Sequence, residues 1–316
     1  MSNPVSRSED YSPAGGADRG LRFTIPLELA GLRLDQALAK LLPGESRSRL
    51  AKLIDAGHVL VDGGPAAGRM KLRSGEAVEV QLVPRISDQP FRAQAIALPI
   101  LHEDEDVLVI DKPAGLVVHP GSGNWEGTML NALLHHVPAV GELARAGIVH
   151  RLDKDTSGLL VVAKNERAQL DLVKQLQERS VKRTYLAVVR GHIATPGTVQ
   201  APIGRHPVHR TRMAVVPGGK PATTHYRVRE TLPAHTLLEC DLETGRTHQI
   251  RVHLASIGHP IEGDAVYAGK GARRMERQAL HAWKLAFRHP ASGEAVRFES
   301  PMPDDFRSLL KELRAA

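Results

Sequence analysis

The chain has 316 residues, 42% of them hydrophobic and only 3% aromatic, with a formal charge of +7. That length allows about two domains with aliphatic cores, and so modest a basic excess suits a polyanionic partner only where it is concentrated. A single cysteine, Cys240, excludes an internal disulfide and any multi-cysteine metal cluster, and no run approaches ~18 consecutive apolar residues, so nothing reads as membrane-spanning.

Residues 1–20 are rich in Ser, Pro, Gly and Asp and carry no apolar signal segment, so they read as a disordered tail and the protein is expected to be cytoplasmic. Helical spacing then begins at Leu32, with Leu34, Leu38 and Leu41 on one face, and stops at Pro43-Gly44. Ser46-Arg47-Ser48-Arg49 opens a second helix carrying Leu50, Leu53 and Ile54, closed by Gly57. Val59–Val61 is a strand entering a tight turn at Asp62-Gly63, and Glu76–Leu82 alternates as another. Residues 21–83 therefore form one small domain. The arginines at the second helix, Arg47 and Arg49, put cations beside free backbone N–H groups, which suits phosphate. Residues 84–99, irregular and proline-punctuated, read as a linker, and 100–316 as the larger domain.

The larger domain opens with the strand Val107–Ile110, the turn Asp111-Lys112-Pro113-Ala114-Gly115 and Leu116–Val118. Asn165 is placed to cap a helix over 166–179 with Leu170, Val173 and Leu176 facing inward. Strands are expected at Thr184–Val189, Thr223–Arg229 and Leu237–Leu242, and helices at Thr247–Ile257 and Asp304–Arg314. Strands and helices interspersed without a βαβ rhythm argue an α+β domain with a mixed, largely antiparallel sheet.

Chemistry concentrates in three places. Residues 150–158 read His-Arg-Leu-Asp-Lys-Asp-Thr-Ser-Gly, followed at once by the apolar run Leu159–Ala163. A carboxylate, Asp153, flanked by Arg151 at the mouth of a buried strand can attack, or stabilise charge on, a polar substrate. Between Val181 and Arg229 lie nine cations (Lys182, Arg183, Arg190, Arg205, Arg210, Arg212, Lys220, Arg227, Arg229) and no Asp or Glu. A solvated face mixes both signs, so this stretch reads as a phosphate-tracking surface. Third, Thr244-Gly245-Arg246-Thr247-His248-Gln249-Ile250-Arg251 turns from a strand into a helix, with Thr247 as its cap and Ile250, Leu254 and Ile257 as its buried stripe. Arg251 sits beside that stripe, its stem covered and its guanidinium able to reach inward. His248, His253, Asp264 and His281 could be drawn as a metal site, but a spacing of five does not put two ligands on one helical face. No metal is expected.

These motifs, in this order, resemble the RluA/RluD family of pseudouridine synthases: an S4-like RNA-binding module over 21–83, then Asp111–Gly115, His150–Gly158, Arg183–Ala187, Thr244–His253 and Gly258–Asp264. The resemblance covers nearly everything from Arg33 to the C-terminus. It implies isomerisation of uridine to pseudouridine in 23S rRNA, at the helix 69 stem-loop of the large subunit or its precursor. Such a reaction needs no redox change or group donor, so no cofactor is expected, and the protein is expected to be a monomer. It assigns Asp153 as the catalytic aspartate and Arg251 as its ion-pair partner. Arg151 would fill the space the flipped base vacates, and Tyr185 would stack on that base and assist proton removal. Lys112 is placed near the cleft, and RNA contact is expected at Arg47, Arg49, Lys112, Lys182, Arg183, Arg205, Arg210 and Arg212.

Two rivals share the same residues. Asp153-Lys154-Asp155-Thr156 fits the Asp-x-Asp-x-Thr signature of haloacid-dehalogenase-type phosphotransferases. That signature should follow an unbroken apolar strand, whereas here His150 and Arg151 interrupt it, and Asp304-Asp305 sit where a helix N-terminus favours acids. A non-catalytic S4-type RNA-binding protein would explain the charge but leave Asp153 and Arg251 without a role.

Overall fold

In this computed structural model the described residues are 19–82, 91–121, 123–209, 211–269 and 273–315. The chain divides into two compact units, Met1–Pro90 and Phe91–Ala316.

The first unit contains β1 (Arg19–Thr24), α1 (Leu34–Leu41), α2 (Arg47–Asp55), β2 (Val59–Val61), β3 (Gly64–Pro65) and β4 (Ala77–Leu82). Its antiparallel sheet runs β1-β4-β2-β3. Leu34, Leu38, Leu50, Leu53, Ile54, Val59, Val78 and Val80 fill one core, each side chain stabilising by about 1.5–3 kcal/mol relative to exposure. The Ser46 hydroxyl accepts the Arg49 backbone N–H and caps α2. The β2–β3 turn places both Asp62 (φ 48°) and Gly63 (φ 75°) in the left-handed region, as a two-residue hairpin with right-handed strand twist requires.

The second unit contains β5 (Ile100–Glu103), β6 (Val107–Lys112), α3 (Met129–His136), β7 (Ser157–Ala163), α4 (Glu166–Gln177) and β8 (Lys182–Arg190). It continues with β9 (Gly197–Gln200), β10 (Ile203–Arg205), β11 (Met213–Val215), β12 (Thr223–Thr231) and β13 (His235–Leu242). It ends with α5 (Gln249–Ser256), β14 (Leu280–Arg288), β15 (Ala295–Glu299) and α6 (Asp304–Ala315). Nine strands form one sheet in the order β5-β6-β7-β14-β8-β13-β12-β9, with β15 added to β14, and β10–β11 stand apart as a hairpin. Only β7 with β14 is parallel. The expected mixed, largely antiparallel sheet is therefore what forms. β7 is buried at every position because both faces of the sheet are covered there. Leu160 and Val162 join one core with α3 and α6, while Leu159 and Val161 join another with Ala168 and Leu172 of α4. An unbroken apolar run is what such a strand needs.

Several expectations need correcting. Residues 91–99 are not a free linker: Gln94 donates its backbone N–H to Asn131 O at 2.9 Å, and Asn131 Nδ2 donates to Arg92 O at 2.8 Å. The expected tail lies outside the described residues up to 18, and Arg19 and Gly20 already begin β1. On α4 the buried face is Ala168, Leu172 and Gln175, whereas Leu170 is 66% exposed; a helix whose apolar residues exceed one stripe leaves the choice of face to tertiary packing. α5 starts later than expected, capped not by Thr247 but by His248 in the left-handed conformation (φ 56°). Ile257 falls beyond its end and is exposed.

Candidate active site

A cleft of about 870 Å³ opens in the second unit, at the end of the sheet where β7, β8, β13 and α5 meet. Its lining includes Arg151, Leu152, Asp153, Arg183, Tyr185, Ile250, Arg251 and Leu280. That volume lies at the upper end for sites that hold a compact ligand.

Asp153 occupies the turn before β7, and its surroundings fix the turn from three directions. Gly115 N–H and Lys112 Nζ both donate to Lys154 O, each at 2.9 Å. Arg277 Nη1 donates to Asp155 O at 3.1 Å, and Gln278 Nε2 donates to Thr156 Oγ1 at 3.2 Å. Gly158 (φ 108°) allows the closest approach: a Cβ there would stand 2.2 Å from Ala282 O on the parallel neighbour β14. Only glycine tolerates both that conformation and that contact.

Lys112 requires a correction. It is fully buried, and its ammonium donates to Pro113 O, Leu116 O and Lys154 O, so it cannot reach RNA. Burial pushes it down to about 7, against the opposing charge of Asp155. Its role is to tie the Asp111–Gly115 turn to the Asp153 turn.

Arg251, from α5, is 5% exposed and holds two carboxylates. Nη1 donates to Asp153 Oδ2 at 2.9 Å, while Nε and Nη2 form a fork onto Asp264 at 2.7 and 3.0 Å. Burial alone would lower the guanidinium; the bonds to Asp264 and then Asp153 override it and hold the group well above its ordinary value. Asp264 is fully buried and also accepts the Val266 and Tyr267 backbone N–H groups. Burial would raise its carboxyl, but Arg251 and these N–H groups keep it below the usual range. Asp153 thus has one oxygen anchored, while Oδ1 accepts no hydrogen bond from the described residues. His248 Nε2 stands 3.9 Å from Oδ1, beyond hydrogen-bond reach. Its Nδ1 lies 2.9 Å from the Tyr267 hydroxyl, whose oxygen accepts Met213 N–H at 3.0 Å. Burial lowers His248, with Asp153 opposing, so the ring is neutral at rest.

Tyr185, on β8, is 6% exposed and lines the cleft. Burial raises its hydroxyl, so the phenol stays protonated at rest. Arg151 is exposed at the rim.

The basic stretch divides once folded. Lys182, Arg205, Arg212 and Lys220 are exposed, Arg205 on β10 and Arg212 just before β11. Arg210 lies outside the described residues. Arg183 is buried in the cleft wall. The remaining three are paired: Arg190 with Glu262, Arg227 with Glu239 and Asp241, Arg229 with Glu239. Sheet pairing brings carboxylates from β13 that a linear window does not contain, so the reading of 181–229 as one uniform phosphate-tracking surface is overturned. In the first unit Arg47 pairs with Asp35 at 2.9 Å and Arg49 with Glu45 at 3.2 Å.

Among the described residues one group could offer three ligand atoms to a cation: Asp104, Asp106 and His289, within 4.8 Å of one another. None of them lines the cleft. Asp106 already accepts from Asn165 and Arg167, and Asp104 from the Asp106 and Val107 backbone N–H groups. His248, His253, Asp264 and His281, weighed as ligands from sequence, are not brought into such a group.

Sequence reasoning brought Asp153, Arg151, Tyr185 and Arg251 to one cleft. It missed Asp264 as the second anchor of Arg251, and also His248, Arg277 and Gln278. For Asp264 the available signal was its place in Gly258–Asp264; no spacing rule links it to a helix thirteen residues earlier.

Comparisons with known proteins identify the family. Residues 106–256 match the family described as RNA pseudouridylate synthase, and 32–78 match the S4 domain. The chain is 56% identical over 319 residues to "Ribosomal large subunit pseudouridine synthase D" of Nitrosomonas europaea, covering 98% of this chain and 93% of that one. It is 52% identical to the protein of the same name from Pseudomonas aeruginosa, covering 92% and 94%. Among solved structures, human RNA pseudouridylate synthase domain containing 1 aligns with a TM-score of 0.54 and 28% identity, over 71% of this chain and 97% of its own. With near-complete coverage at such identity, the chain belongs to the RNA pseudouridylate synthase family and carries an S4 domain before the synthase domain.

Proposed function

We propose that this pseudouridine synthase isomerises uridines of large-subunit rRNA, in the helix 69 stem-loop of 23S rRNA, with Asp153 as its nucleophile. The observation that carries the role of Asp153 is its two unequal oxygens in a residue that lines the cleft: Oδ2 is tied to Arg251, while Oδ1 accepts no hydrogen bond from the described residues. An anchored carboxylate with one free oxygen is oriented for attack. The relatives named for the large ribosomal subunit support the rRNA assignment, and helix 69 rests on the family resemblance.

Isomerisation breaks the N1–C1′ bond, turns the base and joins C5 to C1′, with no net redox change. The target uridine leaves its stack, at a cost of a few kcal/mol that is smallest in a loop. Arg151 enters the vacated space from the rim. Leu152, Ile250 and Leu280 line the cleft beside Asp153, and Tyr185 supplies a face for the base. Asp153 then attacks C1′, or assists departure of the base through a glycal. Proton removal from C5 by Tyr185 requires its phenol to hand on its own proton, since burial keeps the hydroxyl protonated at rest. The substrate is free rRNA, the large subunit or its precursor, met by a cytoplasmic monomer. Exposed Lys182, Arg205 and Arg212 contact phosphates, as does Arg210.

The test is to map pseudouridines by carbodiimide-block primer extension in a deletion strain, complemented with wild type or Asp153→Asn. Helix 69 stops should vanish on deletion, return with wild type and stay absent with Asp153→Asn. Their persistence in the deletion strain would overturn the substrate assignment.

A further inference from the structure

Arg183 lies on β8 two residues before Tyr185, on the same face of the strand, and is 8% exposed. No carboxylate among the described residues pairs with it, and its Nε is buried without a hydrogen-bond partner. The cleft-lining carboxylate of Glu243 is already taken by Arg179 and His225. The protein nevertheless makes room for this guanidinium. A Cβ on Gly245 would stand 2.7 Å from Arg183 Nη1, so the missing side chain there is a matter of space.

A second orphaned donor lines the same cleft. The Val161 backbone N–H donates to His150 Nε2 at 3.1 Å, so the neutral ring carries its proton on Nδ1. That Nδ1 is also buried and without a partner. Burial, helped by the Arg183 charge, pushes His150 down to about 3, so it remains a neutral donor at physiological pH. Two buried N–H donors, one of them cationic, thus belong to residues that line one cleft, and neither has an acceptor among the described residues. An uncompensated buried charge is among the costliest features a fold can carry. A ligand anion resolves both defects at once.

We propose that Arg183 and His150, with the space left by Gly245, form a subsite for one phosphodiester of the RNA strand bound in the cleft. The subsite rests on the RNA-modifying reading above. A base edge would satisfy the hydrogen bonds but leave the guanidinium without a counter-charge, whereas a phosphate supplies both. Such a contact fixes the strand's register, and with it which nucleotide faces Asp153.

The test pairs protein and substrate changes: wild type and Arg183→Met against helix 69 stem-loops carrying a neutral methylphosphonate at one linkage at a time, read by binding and by single-turnover pseudouridine formation. At one linkage beside the target, wild type should lose about tenfold in affinity and Arg183→Met should lose nothing further. Arg183→Met itself should bind about tenfold more weakly, with a log–log salt slope reduced by roughly 0.7 to 0.9, yet melt no lower than wild type. Equal methylphosphonate costs in both proteins at every linkage would overturn the subsite. A lower melting temperature with unchanged RNA affinity would also overturn it, since the cation would then be structural. If Arg183→Met does not fold, Gly245→Ala displaces the guanidinium without removing it; unchanged affinity in that variant overturns the subsite. Wild type that binds the stem-loop without converting it would sink the functional reading, while the binding comparison still decides the subsite.

Discussion

The α5 and β8 walls of the cleft each bury an arginine, and they handle its charge in opposite ways. Arg251 is clamped between two carboxylates, one of them fully enclosed. Arg183, at nearly the same exposure, has none among the described residues. Charge balanced within the protein holds one oxygen of Asp153 in place. Charge left unbalanced stores binding energy for a ligand that brings the opposite sign. Burial alone does not tell the two apart; the partner inventory does.

The largest effect should come from the group that Arg251 orients. Asp153→Asn keeps shape but removes the nucleophilic charge, and should abolish pseudouridine formation while leaving RNA affinity nearly unchanged. Turnover within about tenfold of wild type, ~1.4 kcal/mol of activation energy, would remove Asp153 from its role. Next comes the clamp. Arg251→Met should cost about 3–5 kcal/mol by urea denaturation, because it strands buried carboxylates. The family resemblance names only Asp153 as the partner of Arg251, and Asp153→Asn should recover part of that loss. Since Asp264 is the more deeply enclosed partner, Asp264→Asn should recover more of it, and strict additivity in that double-mutant cycle would break the clamp interpretation.

A third buried pair extends the balanced class. Glu262, 2% exposed, would be raised by burial, but Arg190, the Arg274 backbone N–H and His235 hold it down to about 2 from 4.5. A lowered carboxyl contributes stability above pH 4.5 and loses it as pH falls toward 2. That contribution is on the order of 3 kcal/mol. Wild type should therefore lose more melting temperature between pH 5 and 3 than Glu262→Gln does; parallel acid profiles would contradict it. Smaller effects belong to the surface. Neutralising Arg205 and Arg212 together should flatten the salt dependence of RNA binding by roughly 0.7 to 0.9 in log–log slope for each phosphate no longer neutralised. Arg227→Met, which breaks an exposed cross-strand pair, should cost less than about 1 kcal/mol in denaturation and leave that slope untouched.

What was legible in the sequence follows from the range of the forces involved. Periodicity and capping located α1, α2 and β13 because those signals are local, and α6 starts where its acidic first turn announced it. The Asp153 turn was legible because a charged loop abruptly meets an apolar strand. The face of α4 was not, since Leu170 and Leu172 are equally apolar and only packing against β7 selects Leu172. The charge of 181–229 was misread because cross-strand partners sit in β13, and Lys112 because a lysine beside a turn gives no local sign that three carbonyls enclose it. Most of these misses turn on a partner distant in the chain, β7 for α4, β13 for Arg227 and Arg229, and Lys154 for Lys112.

The junction of β7 with β14 has a consequence for how this enzyme comes into being. Ser157 Oγ meets His281 Nδ1 at 3.0 Å across 124 residues of chain, and Gly158 lies directly against Ala282. During synthesis the chain emerges at about 5–20 residues per second. The Asp153 turn therefore exists for several seconds or more without the strand that backs it, and Arg277 and Gln278, which hold it from behind, arrive just as late. A ribosome-bound fragment ending before Arg277 contains Asp153 but lacks the Arg277, Gln278 and β14 contacts that hold its turn. The contacts that hold the Asp153 turn are therefore complete only when the last strands have been made.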